Sequence, residues 1–92
     1  MKKELTVQNS LGLHARPAAR FVQMTMSFKS SFTIHVPGDP KVYDGKSIMD
    51  LLMANLDQGT TFELETEGDD ANGAMARAER LIDELVAMEG ES

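Results

Sequence analysis

The chain has 92 residues with nine basic and 15 acidic side chains, a net charge of −6, one tyrosine, no tryptophan and no cysteine. That length supports one modest hydrophobic core and hence one domain, residues 1–92. The missing cysteines exclude disulfides and thiolate zinc sites, and an acidic chain poor in aromatics lacks the basic, stacking surface that nucleic acid rewards.

The opening MKKELTVQNS has two lysines but no apolar run behind them, so neither a secretory signal nor a membrane span is expected there, and the expected location is the cytoplasm. Leu5 and Val7 alternate with Glu4, Thr6 and Gln8, the pattern of a strand with one buried face. NSLGL breaks that strand. From Ala15 the positions Ala15, Ala18, Ala19, Val22, Thr25 and Met26 recur at helical spacing, and Pro17 suits a first turn, so a helix is expected to about Phe28.

SFTIHV sets Phe32, Ile34 and Val36 on one face of a second strand, and PGDP turns the chain into a short third strand at KVY. GKSIMDLLMANL follows as a second helix with an apolar stripe of Ile48, Leu51 and Leu52. TTFELETE alternates Phe62, Leu64 and Thr66 with Glu63, Glu65 and Glu67, a strand with one wet face. A last helix is expected from Asp70 to Met88, with Ala71, Ala74, Ala78, Leu81, Ile82 and Leu85 on its apolar side and Asp69 and Asp70 at its start. Strands with one polar face imply an antiparallel sheet covered by helices on the other face only, an α+β sandwich of two layers.

Charge is uneven along the chain. Residues 1–47 hold seven Lys/Arg against three Asp/Glu, and residues 48–92 hold two against twelve. Such polarity serves electrostatic steering towards a partner or simply solvates the second half.

The residues with chemistry in them stand in NSLGLHARPAARFVQ. The first N–H groups of a helix lack partners, and the helix dipole adds positive charge there, so this end attracts anions. His14 sits just before that end. A neutral imidazole keeps one nitrogen lone pair, which makes it a nucleophile as well as a base. A phosphoryl group on that nitrogen would lie against the helix N–H groups of Ala15 and its neighbours at the Pro17 turn, with Arg16 available for charge-assisted contacts. Gly12 lets the loop adopt a conformation other residues resist, bringing backbone close to the same group. Arg20 shares a helical face with Arg16 and would meet an acidic partner surface. The alternative is that His14 caps the helix or merely lies on the surface.

Ser47 begins the second helix, and SIMD has the form of a capping box with Ser47 and Asp50 in reciprocal positions. Ile48, Met49, Leu52 and Met53 form an apolar cluster beside it, whose methionines suit adaptable partner contact. GDPKVYDGKS is not a nucleotide-binding loop, because Gly38 and Gly45 are separated by six residues where a P-loop has four. His35 falls on the outward face of the second strand, expected to be exposed and inert. No metal site is expected, and no cofactor.

GLHARPAARFV, Gly12 to Val22, resembles the active-site signature of the HPr family, the histidine-containing phosphocarriers of the bacterial sugar phosphotransferase system. The element order is similar to that family's βαββαβα open-faced sandwich, and GKSIMDLL resembles its regulatory segment, so the likeness spans essentially the whole chain. The resemblance implies that His14 is phosphorylated at Nδ1 by enzyme I, with phosphoenolpyruvate as ultimate donor, and passes the group to IIA domains of sugar permeases. It makes Arg16 the arginine that steadies the phosphoryl group. It also implies that Ser47 is the target of a kinase/phosphorylase, where a phosphate would add charge beside the apolar cluster. Asp50 departs from the family, which usually has glycine there, and its carboxylate would repel that phosphate. Two other roles fall within the same resemblance: an NPr-type carrier of the nitrogen-related branch, from which GKSIM departs, and a regulatory interaction module acting through the serine, of a kind that lacks the histidine. A monomer suits a shuttle that shows one face to several partners.

Overall fold

The computed structural model describes residues 1–89. Strands β1 (Lys2–Thr6), β2 (Ser31–His35), β3 (Val42–Asp44) and β4 (Thr61–Glu67) and helices α1 (Ala15–Thr25), α2 (Ile48–Met53) and α3 (Ala71–Glu89) follow one another as β1-α1-β2-β3-α2-β4-α3. The sheet order is β1-β4-β2-β3 and every pairing is antiparallel. β4 lies centrally, with Leu5 opposite Phe62 on one side and Ile34 opposite Leu64 on the other.

The alternation in these strands does the sorting. Phe32, Ile34, Phe62, Leu64 and Thr66 are buried beneath the helices, while Thr33, His35, Glu63 and Glu65 lie on the other face. Burial of a large apolar side chain contributes about 1.5–3 kcal/mol. The core joins these strand residues to Phe21 and Met24 of α1, Leu51 of α2, and Ala74, Met75, Ala78, Leu81, Ile82 and Leu85 of α3. The α+β sandwich read from the strand patterns is the fold observed.

Local differences have physical causes. The inward stripe of α1 is Pro17, Ala18, Phe21, Met24 and Thr25, whereas Ala15, Ala19 and Met26 face solvent. Two apolar stripes share this helix at different angles, and the one with the aromatic ring removes more area from water. The helix ends at Thr25 and not near Phe28. Beyond it, Ser27 N–H donates to Met24 O (3.1 Å) and Phe28 N–H to Thr25 O (3.2 Å), so the last turn tightens to i→i+3 bonding.

In α2 only Leu51 is buried; Ile48 and Leu52, expected in an inward stripe, are 38% and 42% exposed. The inward direction lies between Leu51 and the buried Ala54, which turns Ile48 and Leu52 about 90–130° away from it. The third strand lies one residue further along than KVY, because Tyr43 must pair with Ile34 for both to face the core.

Asp70 precedes α3, which has no acidic residue in its first turn. Its carbonyl accepts the Ala74 N–H (2.9 Å), and its carboxylate turns away to the α1–β2 loop. There it accepts the N–H groups of Lys29 and Ser30 (both 2.9 Å) and the Ser30 hydroxyl. The Ser30 hydroxyl and then the Lys29 N–H hold this carboxyl below the usual carboxylate range.

Candidate phosphoryl-acceptor site

The entry to α1 is built by backbone bonds. Gly12 N–H donates to Asn9 O (3.1 Å), and the buried Asn9 side chain donates from Nδ2 to Gly12 O (2.8 Å), closing a tight turn. Leu13 is fully buried, and its N–H donates to Leu56 O (2.9 Å) in the loop between α2 and β4. Two loops distant in sequence are thus clamped together.

Gly12 is the residue this clamp requires. Its φ is +65°, and a Cβ there would stand 2.5 Å from Leu56 O and 3.0 Å from Asp57 Cα. The sequence suggested that Gly12 lets backbone approach a bound phosphoryl group. It also admits the Leu56–Asp57 segment.

His14 occupies the N-cap of α1 in an extended conformation (φ −125°, ψ 163°), and its side chain makes no capping bond. The imidazole is therefore free for other partners. Its Nε2 lies 2.7 Å from Asp57 Oδ1, and Nδ1 has no hydrogen-bond partner among the described residues. The next residue, Ala15, has φ +50°. A left-handed alanine costs about 1–2 kcal/mol, and here it turns the chain from the loop into the helix directly beside the imidazole.

The helix end carries what an anion needs. Pro17 has no N–H to offer, the Ala18 N–H is used by His14 O (3.4 Å), and the N–H groups of Ala15 and Arg16 precede the first intrahelical bond. The first turn holds no acidic side chain to compete for them. Arg16 and Arg20 are both exposed on the same helix. Arg16 borders a depression walled by Leu11, Pro17, Leu85 and Met88.

α3 secures the loop from the other side. Glu89 accepts the N–H of Ser10 (2.8 Å), the Ser10 hydroxyl (2.9 Å) and the N–H of Leu11 (3.0 Å). The Ser10 and Leu11 N–H groups hold its carboxyl below the usual range. Part of the acidic second half thus braces the His14 loop.

Neither Asp57 nor Glu89 stands out in the sequence. Asp57 is 43 positions from its histidine and Glu89 is 78 to 79 from its partners. The signal available for Asp57 was a turn at LDQG, which marks a loop and no function.

At the second segment, Ser47 is the N-cap of α2 and its Oγ accepts the Asp50 N–H (3.2 Å). The reciprocal half of the expected capping box is not made. Asp50 Oδ2 accepts the Asp44 N–H (2.9 Å), while the Ser47 N–H donates to Asp44 O (3.0 Å). Ile48, Met49, Leu52 and Met53 are exposed around this cap, Met49 most of all at 65%.

His35 is on the outward face as expected, yet half-buried, with Nε2 3.4 Å from Glu65 Oε1 across the strand pair. In GDPKVYDGKS, Asp39 accepts the Tyr43 hydroxyl (2.6 Å) and the Lys41 N–H (2.9 Å). No helix of the described residues is long and apolar enough to cross a membrane.

Known proteins resemble this chain along most of its length. The family model described as the PTS HPr component phosphorylation site matches residues 1–84. The phosphocarrier protein HPr of Neisseria meningitidis serogroup A is 42% identical over 82 residues, covering 89% of this chain and 90% of that protein. The HPr-like protein Crh of Halalkalibacterium halodurans is 41% identical over 75 residues, covering 82% and 87%. Among solved structures, HPr-C-His from Thermoanaerobacter tengcongensis superposes with a TM-score of 0.87 at 34% identity, covering 95% of this chain and 96% of that one. With the family match over residues 1–84, relatives 41–42% identical along most of their length and a solved structure of the same fold, the protein belongs to the HPr family of phosphotransfer carriers of the phosphotransferase system.

Proposed function

We propose that Nδ1 of His14 accepts the phosphoryl group from enzyme I and passes it to IIA domains of sugar permeases. The observation that carries this reading is the unpartnered Nδ1 at the N-terminus of α1, beside backbone N–H groups with no intrahelical partner and the exposed Arg16. In the accepting step the donor's bond to phosphorus breaks as the Nδ1–P bond forms. In the donating step the Nδ1–P electron pair returns to the ring. The N–H groups and Arg16 hold the phosphoryl oxygens in both directions, which lowers the barrier without trapping the group.

Arg20 and the exposed Ile48, Met49, Leu52 and Met53 make the partner surface, a mixture of positive charge and adaptable apolar contact. Ser47 is a second, regulatory phosphorylation site for a kinase/phosphorylase. Its hydroxyl is half-buried at a helix start, and the neighbouring Asp50 carboxylate is already engaged by the Asp44 N–H.

Incubation with enzyme I and labelled phosphoenolpyruvate tests the acceptor. An acid-labile, alkali-stable label that His14→Ala abolishes is expected; label retained in that variant refutes the assignment. Incubation with ATP and the kinase tests Ser47, and no label on it removes the regulatory claim.

A further inference from the structure

We propose that Asp57 is a positioning residue for His14: it holds the proton on Nε2, so that Nδ1 is the nucleophile and the ring enters and leaves the transfer without a proton transfer of its own. The inference rests on the acceptor role proposed for His14.

Three observations carry it. Oδ1 of Asp57 lies 2.7 Å from His14 Nε2, a charge-assisted hydrogen-bond distance. A carboxylate only accepts, so the ring nitrogen facing it is the one that bears the proton, and the lone pair falls to Nδ1. The approach is built in: Leu13 N–H bonds Leu56 O at 2.9 Å, and Gly12 leaves space that a Cβ would fill, at 2.5 Å from Leu56 O and 3.0 Å from Asp57 Cα. The Asp57 side chain makes no other hydrogen bond among the described residues, so this contact is its one visible task.

The step balances. When Nδ1 attacks, the donor bond to phosphorus breaks and Nδ1–P forms; Nε2 keeps its proton and the ring becomes a phospho-imidazolium facing the Asp57 carboxylate. When the group leaves, the electron pair returns to Nδ1 and the neutral ring still has its proton on Nε2. Asp57 therefore stabilises the phosphorylated ring over the free one. The charged groups around this entry are Asp57 from the α2–β4 loop, Arg16 of α1 and Glu89 of α3. Arg16 favours the phosphoryl oxygens, and Glu89 is committed to Ser10 and Leu11.

Asp57 is 61% and His14 32% exposed, so water screens a bond that would otherwise shift an equilibrium more than tenfold. The expected effect is about fivefold. The test is the equilibrium partition of label between enzyme I and the full chain for wild type, Asp57→Ala, Asp57→Asn and Asp57→Glu. It is read together with 15N NMR of the unphosphorylated ring, whose nitrogen shifts report which one carries the proton, and circular dichroism checks each fold.

Asp57→Ala and Asp57→Asn should shift partition about fivefold towards enzyme I. In their neutral ring the proton should spread between the two nitrogens, where wild type holds it on Nε2, with Asp57→Glu closest to wild type. A merely structural role would leave the ring's tautomer unmoved. Partition within about twofold of wild type and an unmoved tautomer in a folded Asp57→Ala overturn the inference while leaving the acceptor assignment intact. No label on the wild type overturns the acceptor role and this inference together.

Discussion

Replacing Gly12 by alanine isolates the clamp that builds the site, because Gly38 supplies a matched control. Both glycines have positive φ, +65° and +85°, but a Cβ at Gly38 meets nothing within 4 Å, whereas at Gly12 it meets the Leu56 carbonyl at 2.5 Å. At Gly38 the cost is backbone strain of about 1–2 kcal/mol, offset by about 0.4–1 kcal/mol from the stiffer unfolded chain. The net loss for Gly38→Ala is therefore about 1 kcal/mol. At Gly12 a backbone atom cannot rotate out of the way as a side chain would, so a crowding penalty of about 1–3 kcal/mol adds to the strain. Gly12→Ala should lose about 2–4 kcal/mol, or about 10–25 °C in Tm for a domain of this size. Urea unfolding followed by circular dichroism, with both variants showing the wild-type slope, gives the difference directly. Equal losses for the two variants would refute the argument, since the positive φ would then account for everything and the Gly12–Leu56 approach for nothing.

Ser47→Ala should cost about 1 kcal/mol by freeing the Asp50 N–H, and Ser47→Asp should restore most of it as an alternative cap; urea midpoints decide both. Asp70→Asn should destabilise at neutral pH and progressively less in acid. Its carboxyl is held below the usual value in the folded chain, so its contribution is present above about pH 4 and is lost as pH falls through the lower folded value. A wild-type–variant difference that stays constant down to low pH would show that the Ser30 and Lys29 bonds do not depend on the charge. Met49→Lys, at a position 65% exposed, should leave Tm within about 1–2 °C while weakening binding of enzyme I several-fold by calorimetry. Unchanged affinity would place the interface elsewhere.

Element identity and order were legible in the sequence because each element carries its own period. The two-residue alternation of TFELETE and the helical spacing from Ala74 to Leu85 reflect which side of a single element meets the core, and that is local information. The position of His14 and Arg16 at the start of a helix was legible for the same reason: a helix end and the residues beside it are neighbours in sequence. The face of α1 was less so, since two apolar stripes compete within eleven residues and the rest of the core selects between them.

Contacts between distant segments follow from the packing of the core. Local pattern places a histidine at a helix start and gives a sheet with one wet face. It does not say that Asp57 meets the imidazole, that Glu89 braces the loop before it, or that Asp70 leaves its helix for Ser30. Locally Asp57 reads as part of a turn, Asp70 as the start of a helix and Glu89 as the residue just past an expected helix end. Where a side chain is spent depends on which donor the packed core brings within about 3 Å, and that distance is set by the order of strands in the sheet and not by any spacing along the chain.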